Sequence, residues 1–576
     1  MKPASSEAAA TMSRSVMGEG GIGGAERKRP PRGALVAAGI VFGVSKQPCA
    51  FALVLSPHNP PGGPGPEPGT ASSDRNVLPR DGARNWGKSG FAGYERCIYA
   101  PKLCDPGVSE SGENGRMRTP TRWLPLLCLA LLVACGGGGG SGGSNVGGGS
   151  GGGGIGQTLT LSLPAPGLAP ADLAVIVAEG DALSEAVGAA YLAARGVPAA
   201  NLVRVKVNTA LDIISAADFA LLKADIDAKL PAGAQATLLT WAAPSRVVGA
   251  CSMGITSAMA FGFDTRWCNP TPAANLCAGT AASPLYDSES RRPQADLQMR
   301  PSMLLGARTL AAAQALINRG LAADGTRPAG DGWLVRTTDA DRSVRAIDFA
   351  GLPAAWAGAL TLNYLDNSAG PASGNAVSGK SNVLFYLTGL AAVDQLASLQ
   401  FRPGALADTL TSSGGLLPGA NGQMPITAWL DAGVTASYGT VEEPCNLPQK
   451  FSRASVLIDQ YWRGATAIEA YWKAVQWPGQ GLFVGEPLAQ PFREAPSFAI
   501  VNGEYQIKTR ALRPGSRYTL EYLQGSTWTT LATFTGARGQ PLDGRAPLPP
   551  AAATQIRWVG PCPDNAVNRC TLATSS

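Results

Sequence analysis

Residues 172–207 read DLAVIVAEGDALSEAVGAAYLAARGVPAANLVRVKV, and the order of residue types in this stretch decides the fold. Leu173 to Ala178 form an unbroken apolar run, the signature of a short strand buried on both faces. Glu179-Gly180-Asp181 interrupts it with a polar loop, and Asp181 is placed to cap a helix that Ser184 helps to begin. That helix is expected to turn Ala186, Ala190 and Leu192 toward a core, and LVRVKV returns as a second strand.

The same order recurs downstream. SAADFALLKADIDAKL (215–230) is helical, ATLLTWAAP (236–244) a buried strand, GARTLAAAQALINRGLAAD (306–324) a helix and GWLVRTT (332–338) a strand. Apolar strands alternating with amphipathic helices predict an α/β domain, a mainly parallel sheet with helices on both faces, spanning 170–493 with a loop insertion near 252–300. SNVLFYLTGLA (381–391), PGALADTLTSSGG (403–415) and GVTASYGTVEEPC (433–445) start apolar and end in small or polar residues. Those ends are expected at the carboxyl edge of the sheet, where α/β proteins bind ligands. Over 497–562 the pattern changes to period-two alternation with turn signals at Asn502-Gly503 and Pro514-Gly515, which reads as a small antiparallel β-sandwich, with 563–576 as a tail.

The chain before residue 157 is of another kind. MRTPTRWLPLLCLALLVAC (117–135) has Arg118 and Arg122 ahead of a short apolar run, the layout of a signal peptide and too short to span a bilayer. Its end, Leu132-Val133-Ala134-Cys135, resembles the bacterial lipobox, which implies that Cys135 is lipidated and that 117–134 is removed. The Gly/Ser-rich segment 135–156 then reads as a flexible tether. Residues 1–116, rich in Pro, Gly and Arg without a sustained period, read as either a mis-called upstream extension or a disordered leader.

Composition removes several function classes. Residues 1–134 carry 16 Lys and Arg and 10 Asp and Glu of the chain's 47 and 41, so 31 of each remain and the exported part is neutral. It lacks the basic footprint of a nucleic-acid-binding protein. The single histidine, His58, precedes the signal peptide, so the exported part has no Ser-His-Asp triad, Cys-His dyad or His-ligated zinc. Six cysteines follow Cys135, an even number that suits disulfides in an exported protein. Spacing favours Cys268 with Cys277 and Cys562 with Cys570, leaving Cys251 for Cys445, against the alternative of free buried thiols.

VIVAEGDALSEAVGAAYLAARGVPAANLV, TWAAPSRV, GALADTLTSSGG, ASYGTVEEPC and EAYWKAVQWPGQGLFVGEPLAQPF, in this order over about 174–492, together resemble a family of exported bacterial proteins. More distantly, the strand with its Thr-Gly loop, GVTASYGTV, the Glu-Ala helix and VGEP are similar to the second half of the caspase-hemoglobinase fold, especially gingipain-type peptidases. Those place a His-Gly pair after one strand and a nucleophilic Cys after the next. The corresponding positions here are Thr388-Gly389-Leu390 and Thr411-Ser412-Ser413, so the resemblance implies a shared fold without the cysteine-peptidase chemistry.

The candidate site residues lie at the strand ends. Ser412 and Ser413, before Gly414-Gly415, are candidate nucleophiles, with Lys380 and Lys450 the nearest lysines in sequence to act as base. Glu442 and Glu443 form a carboxylate pair for acid/base work or for a hard cation such as Ca²⁺, although no specific metal motif accompanies them. Asp181, Arg246, Asp264, Thr388 and Thr411 are expected to line one pocket with them, and Trp241, Trp462, Trp472 and Trp477 read as core or as a sugar platform. Two functions follow: a lipid-anchored envelope protein, facing periplasm or cell surface, that binds a protein or glycan partner without catalysis, or a peptide or glycan hydrolase using Ser412 or the Glu442/Glu443 pair.

Overall fold

The computed structural model describes residues 158–269, 277–371 and 374–575. Cys135, the signal segment 117–134, most of the tether and residues 1–116 lie outside the described residues. Ten strands form one sheet: β1 (Leu173–Ala178), β2 (Leu202–Val205), β3 (Ala236–Leu239), β4 (Ser302–Leu304), β5 (Asp331–Arg336), β6 (Thr361–Asp366), β7 (Val383–Thr388), β8 (Phe401–Thr409), β9 (Ala436–Thr440) and β10 (Gly481–Gly485). Their spatial order is β2-β1-β3-β4-β10-β9-β8-β7-β5-β6. Every neighbouring pair is parallel except β9 with β10, where Ala436 faces Gly485 and Thr440 faces Gly481. The mainly parallel α/β reading therefore holds, with one consequence for the site. β5–β9 run opposite to β1–β4, so the carboxyl ends of the two groups emerge at opposite edges of the sheet.

The first unit shows how the sequence builds these layers. All six residues of β1 are buried, and α1 (Ala182–Arg195) follows with Asp181 Oδ1 accepting from the Ser184 amide at 2.7 Å. Its buried face is Val187, Gly188, Tyr191 and Arg195, and the expected Ala186, Ala190 and Leu192 are only half-buried. The rotation has a polar cause. Glu486, buried after β10, accepts the Tyr191 hydroxyl at 2.5 Å and pairs with the Arg195 guanidinium, which also meets Asp324 at 2.5 Å. Gly188 permits the close approach, since a Cβ there would sit 2.7 Å from Val177. Later come α2 (Ala216–Lys229), α3 (Leu310–Ala323), α4 (Ala454–Trp462) and α5 (Ala467–Ala474), with Glu469 closing a capping box on Thr466 at the start of α5. Trp241, Trp462 and Trp472 are buried core and Trp477 is half-buried, so the four do not form an exposed aromatic platform.

After residue 496 seven antiparallel strands form two sheets. β11 (Ser497–Val501), β12 (Glu504–Thr509) and β15 (Leu542–Pro547) make one; β13 (Arg517–Gln524), β14 (Thr527–Thr535), β16 (Gln555–Pro561) and β17 (Arg569–Thr574) make the other. Asn502 and Gly503 both have positive φ, 55° and 80°, the two-residue turn that matches strand twist. The two sheets share a core around Tyr505, Ile507, Leu520, Ile556 and Trp558, which Leu161 enters from the segment after the tether. The module extends beyond residue 562, because β17 adds a strand to β16 where the sequence read as a tail.

The disulfides correct two of the three expected pairings. Cys251 bonds Cys268, Cys277 bonds Cys445, and Cys562 bonds Cys570 as expected. The short helix Thr265–Cys268 follows a reversal at Gly262 (φ 77°) and packs back on the strand that begins after Cys251. Cys268 is thus taken by a neighbour earlier in the chain, and Cys277 is left for Cys445 beyond β9.

Candidate functional site

At the carboxyl ends of β7–β9 the loops that follow β5, β8 and β9 line a polar cleft of about 340 Å³, with Arg342, Thr411, Ser412, Glu443, Asn446 and Phe451 among its walls. A buried ion pair braces these strand ends. Arg345 Nη1 meets Asp408 Oδ1 at 2.5 Å, its Nη2 donates to the carbonyls of Thr388 (2.7 Å) and Asp408 (3.1 Å), and Ser452 donates to Asp408 Oδ2 at 2.6 Å. One guanidinium therefore ties the ends of β7 and β8 together. Gly389, after Thr388, is packed so tightly on the Arg342 carbonyl that a Cβ would lie 1.9 Å from its oxygen. Thr388 itself is buried, its hydroxyl without a hydrogen-bond partner among the described residues.

Beyond β8 the chain turns under constraint. The Thr411 hydroxyl donates to Gln423 Oε1 at 2.6 Å and accepts from Arg342 Nε at 3.2 Å, and the Ser413 amide donates to the same Gln423 oxygen at 2.8 Å. Gly415 donates to the Thr440 carbonyl at 2.8 Å, while the Thr440 hydroxyl donates to the carbonyls of Thr411 and Ser412. The Gly414-Gly415 turn is thus clamped to the end of β9 rather than left open. Ser413 is 9% exposed, and only Ser412 is half-buried toward the cleft. Its hydroxyl makes no hydrogen bond to any described residue, so no base is in contact with it. Arg342 Nη1 is paired with Asp339 at 2.7 Å, leaving Nη2 without a partner among the described residues.

The two glutamates brace loops. Glu442 accepts the Ser252 amide at 2.9 Å, and Glu443 accepts the Cys445 amide at 2.8 Å in a local turn where Cys445 has φ 58°. Among the described residues no group of three or more His, Cys, Asp or Glu side chains could hold a metal ion. Of the two lysines, Lys380 lies over the Trp333 ring at 4.9 Å. Lys450 is buried, its Nζ has no partner among the described residues, and burial pushes its pKa down to about 8 against the opposing pull of Glu442 and Glu443.

The expected single pocket divides. Arg246 does reach this edge, donating to the Val441 carbonyl at 3.4 Å, because the crossover from β3 back to β4 carries it there. Asp181 follows β1, which runs the other way; besides capping α1 it accepts the Thr209 hydroxyl at 2.6 Å, and it does not line the cleft. Asp264 pairs with Arg266 at 3.4 Å and caps the helix Thr265–Cys268, also outside the cleft. Sequence reasoning missed Arg342, Arg345, Asp408 and Gln423. Of these only Asp408 carries a signal, a carboxylate inside the apolar run of β8 that must find a buried partner.

No family model matches the chain, and no curated protein does. A solved structure described as "Structure of Protease" is 11% identical, with 71% of this chain and 97% of that chain covered, at a TM-score of 0.30, too low to fix a fold. No helix among the described residues is long and apolar enough to cross a membrane.

Proposed function

We propose that this chain is a lipid-anchored envelope protein whose α/β domain has the caspase-like fold and binds a peptide or glycan at the β7–β9 cleft without cleaving it. One observation carries the reading: the cleft's hydroxyls are either clamped or without a base, and the sequence resemblance to gingipain-type peptidases supports the choice of this edge. Thr411 is held between Arg342 and Gln423, and Ser412 has no hydrogen-bond partner among the described residues. Arg342 Nη2, Asn446 and Ser412 remain to meet a polar ligand. Such a cleft selects by hydrogen bonds to groups fixed before the ligand arrives.

A hydrolase built on Ser412 is the second reading, favoured by Lys450, whose unpartnered amine with a pKa near 8 suits a general base. A fluorophosphonate probe separates the two. The binding reading expects no adduct on Ser412 or Ser413 by peptide mass spectrometry. A stoichiometric adduct that disappears on heat unfolding and in Lys450→Met would establish the hydrolase instead. Binding itself is read on peptide and glycan arrays, where Arg342→Ala should lower the signal of the retained ligand at least tenfold. The anchor rests on the lipobox, and Cys135→Ala should abolish labelling by a fatty-acid analogue; labelling that survives ends the lipoprotein reading.

A further inference from the structure

A helix that covers a sheet and faces water ordinarily carries charge on its outer side, and α2 does: Lys223 pairs with Asp227, and Lys229 with Asp225 at 2.8 Å. α3 does not. Its sequence LAAAQALINRGLAA holds a single charged residue, Arg319. Its exposed side includes Leu310 (36% exposed), Ala312, Ala315 and Leu321 (37%), with the neutral Gln314 and Asn318 between them. α1, packed against α3, is likewise exposed through uncharged Ala182, Ala189, Ala193 and Ala194, while its Glu185 turns back to accept the Gly180 amide at 3.1 Å.

A groove of about 540 Å³ lies beside α3, between its Ala312, Ala315 and Leu316 and the facing Pro425 and Leu430 of the connection from β8 to β9. Opposite charges stand at its two ends. Arg308, just before α3, lines the groove, is exposed, and makes no hydrogen bond or ion pair among the described residues. Asp431 lines it too, equally exposed and equally without a partner among the described residues. It sits at the Arg319 end, because Arg319 Nη2 donates to the carbonyl of the preceding Leu430 at 3.2 Å. From Arg308 to Arg319 is about 16 Å at 1.5 Å per helical residue.

A neutral helix face with an unpaired cation at one end and an unpaired anion at the other is complementary to its own copy turned about a two-fold axis. We propose that this face is the contact of a homodimer, in which α3 packs antiparallel on α3 of a second copy about an axis at Ala312–Ala315, and Arg308 of each copy meets Asp431 of the other. The small residues at the axis let the helices approach closely, and Leu310 of each copy enters the other's groove. α3 and its facing segment, two ridges about 10 Å apart and about 21 Å long, offer about 400 Å² per copy, which the alanines of α1 extend. That area belongs to a weak pair, formed at micromolar concentration or above. The groove follows β4, whose carboxyl end lies at the edge opposite the β7–β9 cleft, so the pairing leaves the cleft uncovered and does not depend on its function.

The test is sedimentation equilibrium of the full-length chain, with Cys135→Ala in every sample so that lipid cannot join copies, from about 1 µM to about 1 mM. The mass should rise from that of one chain towards that of two. Arg308→Asp and Asp431→Arg should each weaken the pairing at least tenfold, since the two-fold axis sets like charges opposite twice, and the two changes together should restore it to within threefold. Ala315→Glu, an exposed position at the axis, should abolish it. All four variants should keep the circular dichroism spectrum and melting temperature of the parent as monomers, because every altered side chain is exposed. A mass of one chain throughout overturns the proposal. So does a dimer that Ala315→Glu leaves intact, which would place the contact elsewhere, and so does a double charge reversal as weak as either single one, which would refute the antiparallel register.

Discussion

At the carboxyl end of β1 the chain closes on itself at once, with Asp181 capping α1 and the buried Glu486 gripping Tyr191 and Arg195 from the end of β10. At the carboxyl ends of β7, β8 and β9 the chain instead makes loops that stand apart, held by Arg345 below and by the Cys277–Cys445 disulfide above. Both halves are parallel strands joined by crossovers, and both spend a buried ion pair at their strand ends. The difference is what the ion pair fastens. In the first half it fastens a helix to the sheet; in the second it ties strand to strand beneath a cleft. A parallel sheet supplies the edge, and the connections decide whether it is a site.

The sharpest break is at Arg345. Arg345→Met leaves the buried Asp408 carboxylate without its cation, and should cost about 3–5 kcal/mol in denaturant unfolding. Glu486→Gln in the first half should cost less, because Arg195 keeps Asp324. If the two losses were reversed, Arg345 would not be the main brace of the cleft.

The disulfides come next. Cys277–Cys445 closes a span of 168 residues and Cys251–Cys268 a span of 17, so chain entropy alone gives about 5 and about 3 kcal/mol for their removal. Paired Ser substitutions followed by equilibrium unfolding would measure both. A non-reducing digest should yield a peptide joining Cys277 to Cys445, and one joining Cys268 to Cys277 would refute the pairing that frames the cleft.

How much of this the residues announce depends on whether local and tertiary demands agree. The run Leu173–Ala178 declares its strand because all six side chains are buried, and Asn502-Gly503 declares its turn because both residues tolerate positive φ. The direction of β10 is written nowhere in GLFVG; it follows from where α5 delivers the chain, so the opposition of the two edges was out of reach. The same holds for the cleft. Thr411, Ser412, Glu442 and Glu443 could be read as strand-end residues, but Arg342 is 69 positions from the hydroxyl it meets. Spacing misassigned Cys268 because a reversal at Gly262 matters more than nine residues of chain.

A smaller effect concerns Lys450, buried next to the cleft-lining Phe451. Its pKa in the folded chain is about 8 and its ordinary value 10.5, so between these pH values the unfolded chain binds a proton that the folded chain does not. Wild-type stability should therefore rise as pH increases from 8 to 10.5. Lys450→Met should remove that rise and add about 1–2 kcal/mol at pH 7, where the wild type holds a buried cation without a partner. A flat wild-type profile over this window would mean that Lys450 is solvated or paired, and would also remove the ground for Lys450 as a base.

The smallest effect tests the separation of the edges most cleanly. Asp181→Ala deletes the N-cap of α1 and the acceptor for Thr209, and should lower stability by about 1 kcal/mol. Because β1 and β8 run in opposite directions, that loss should stay in the first half. Array binding at the cleft should match wild type within twofold, whereas Arg342→Ala loses it with little change in melting. Should Asp181→Ala weaken cleft binding as much as Arg342→Ala does, the two edges would be coupled through the sheet. The loops at the ends of β7–β9 would then owe their arrangement to the cap on α1 as well as to Arg345 beneath them.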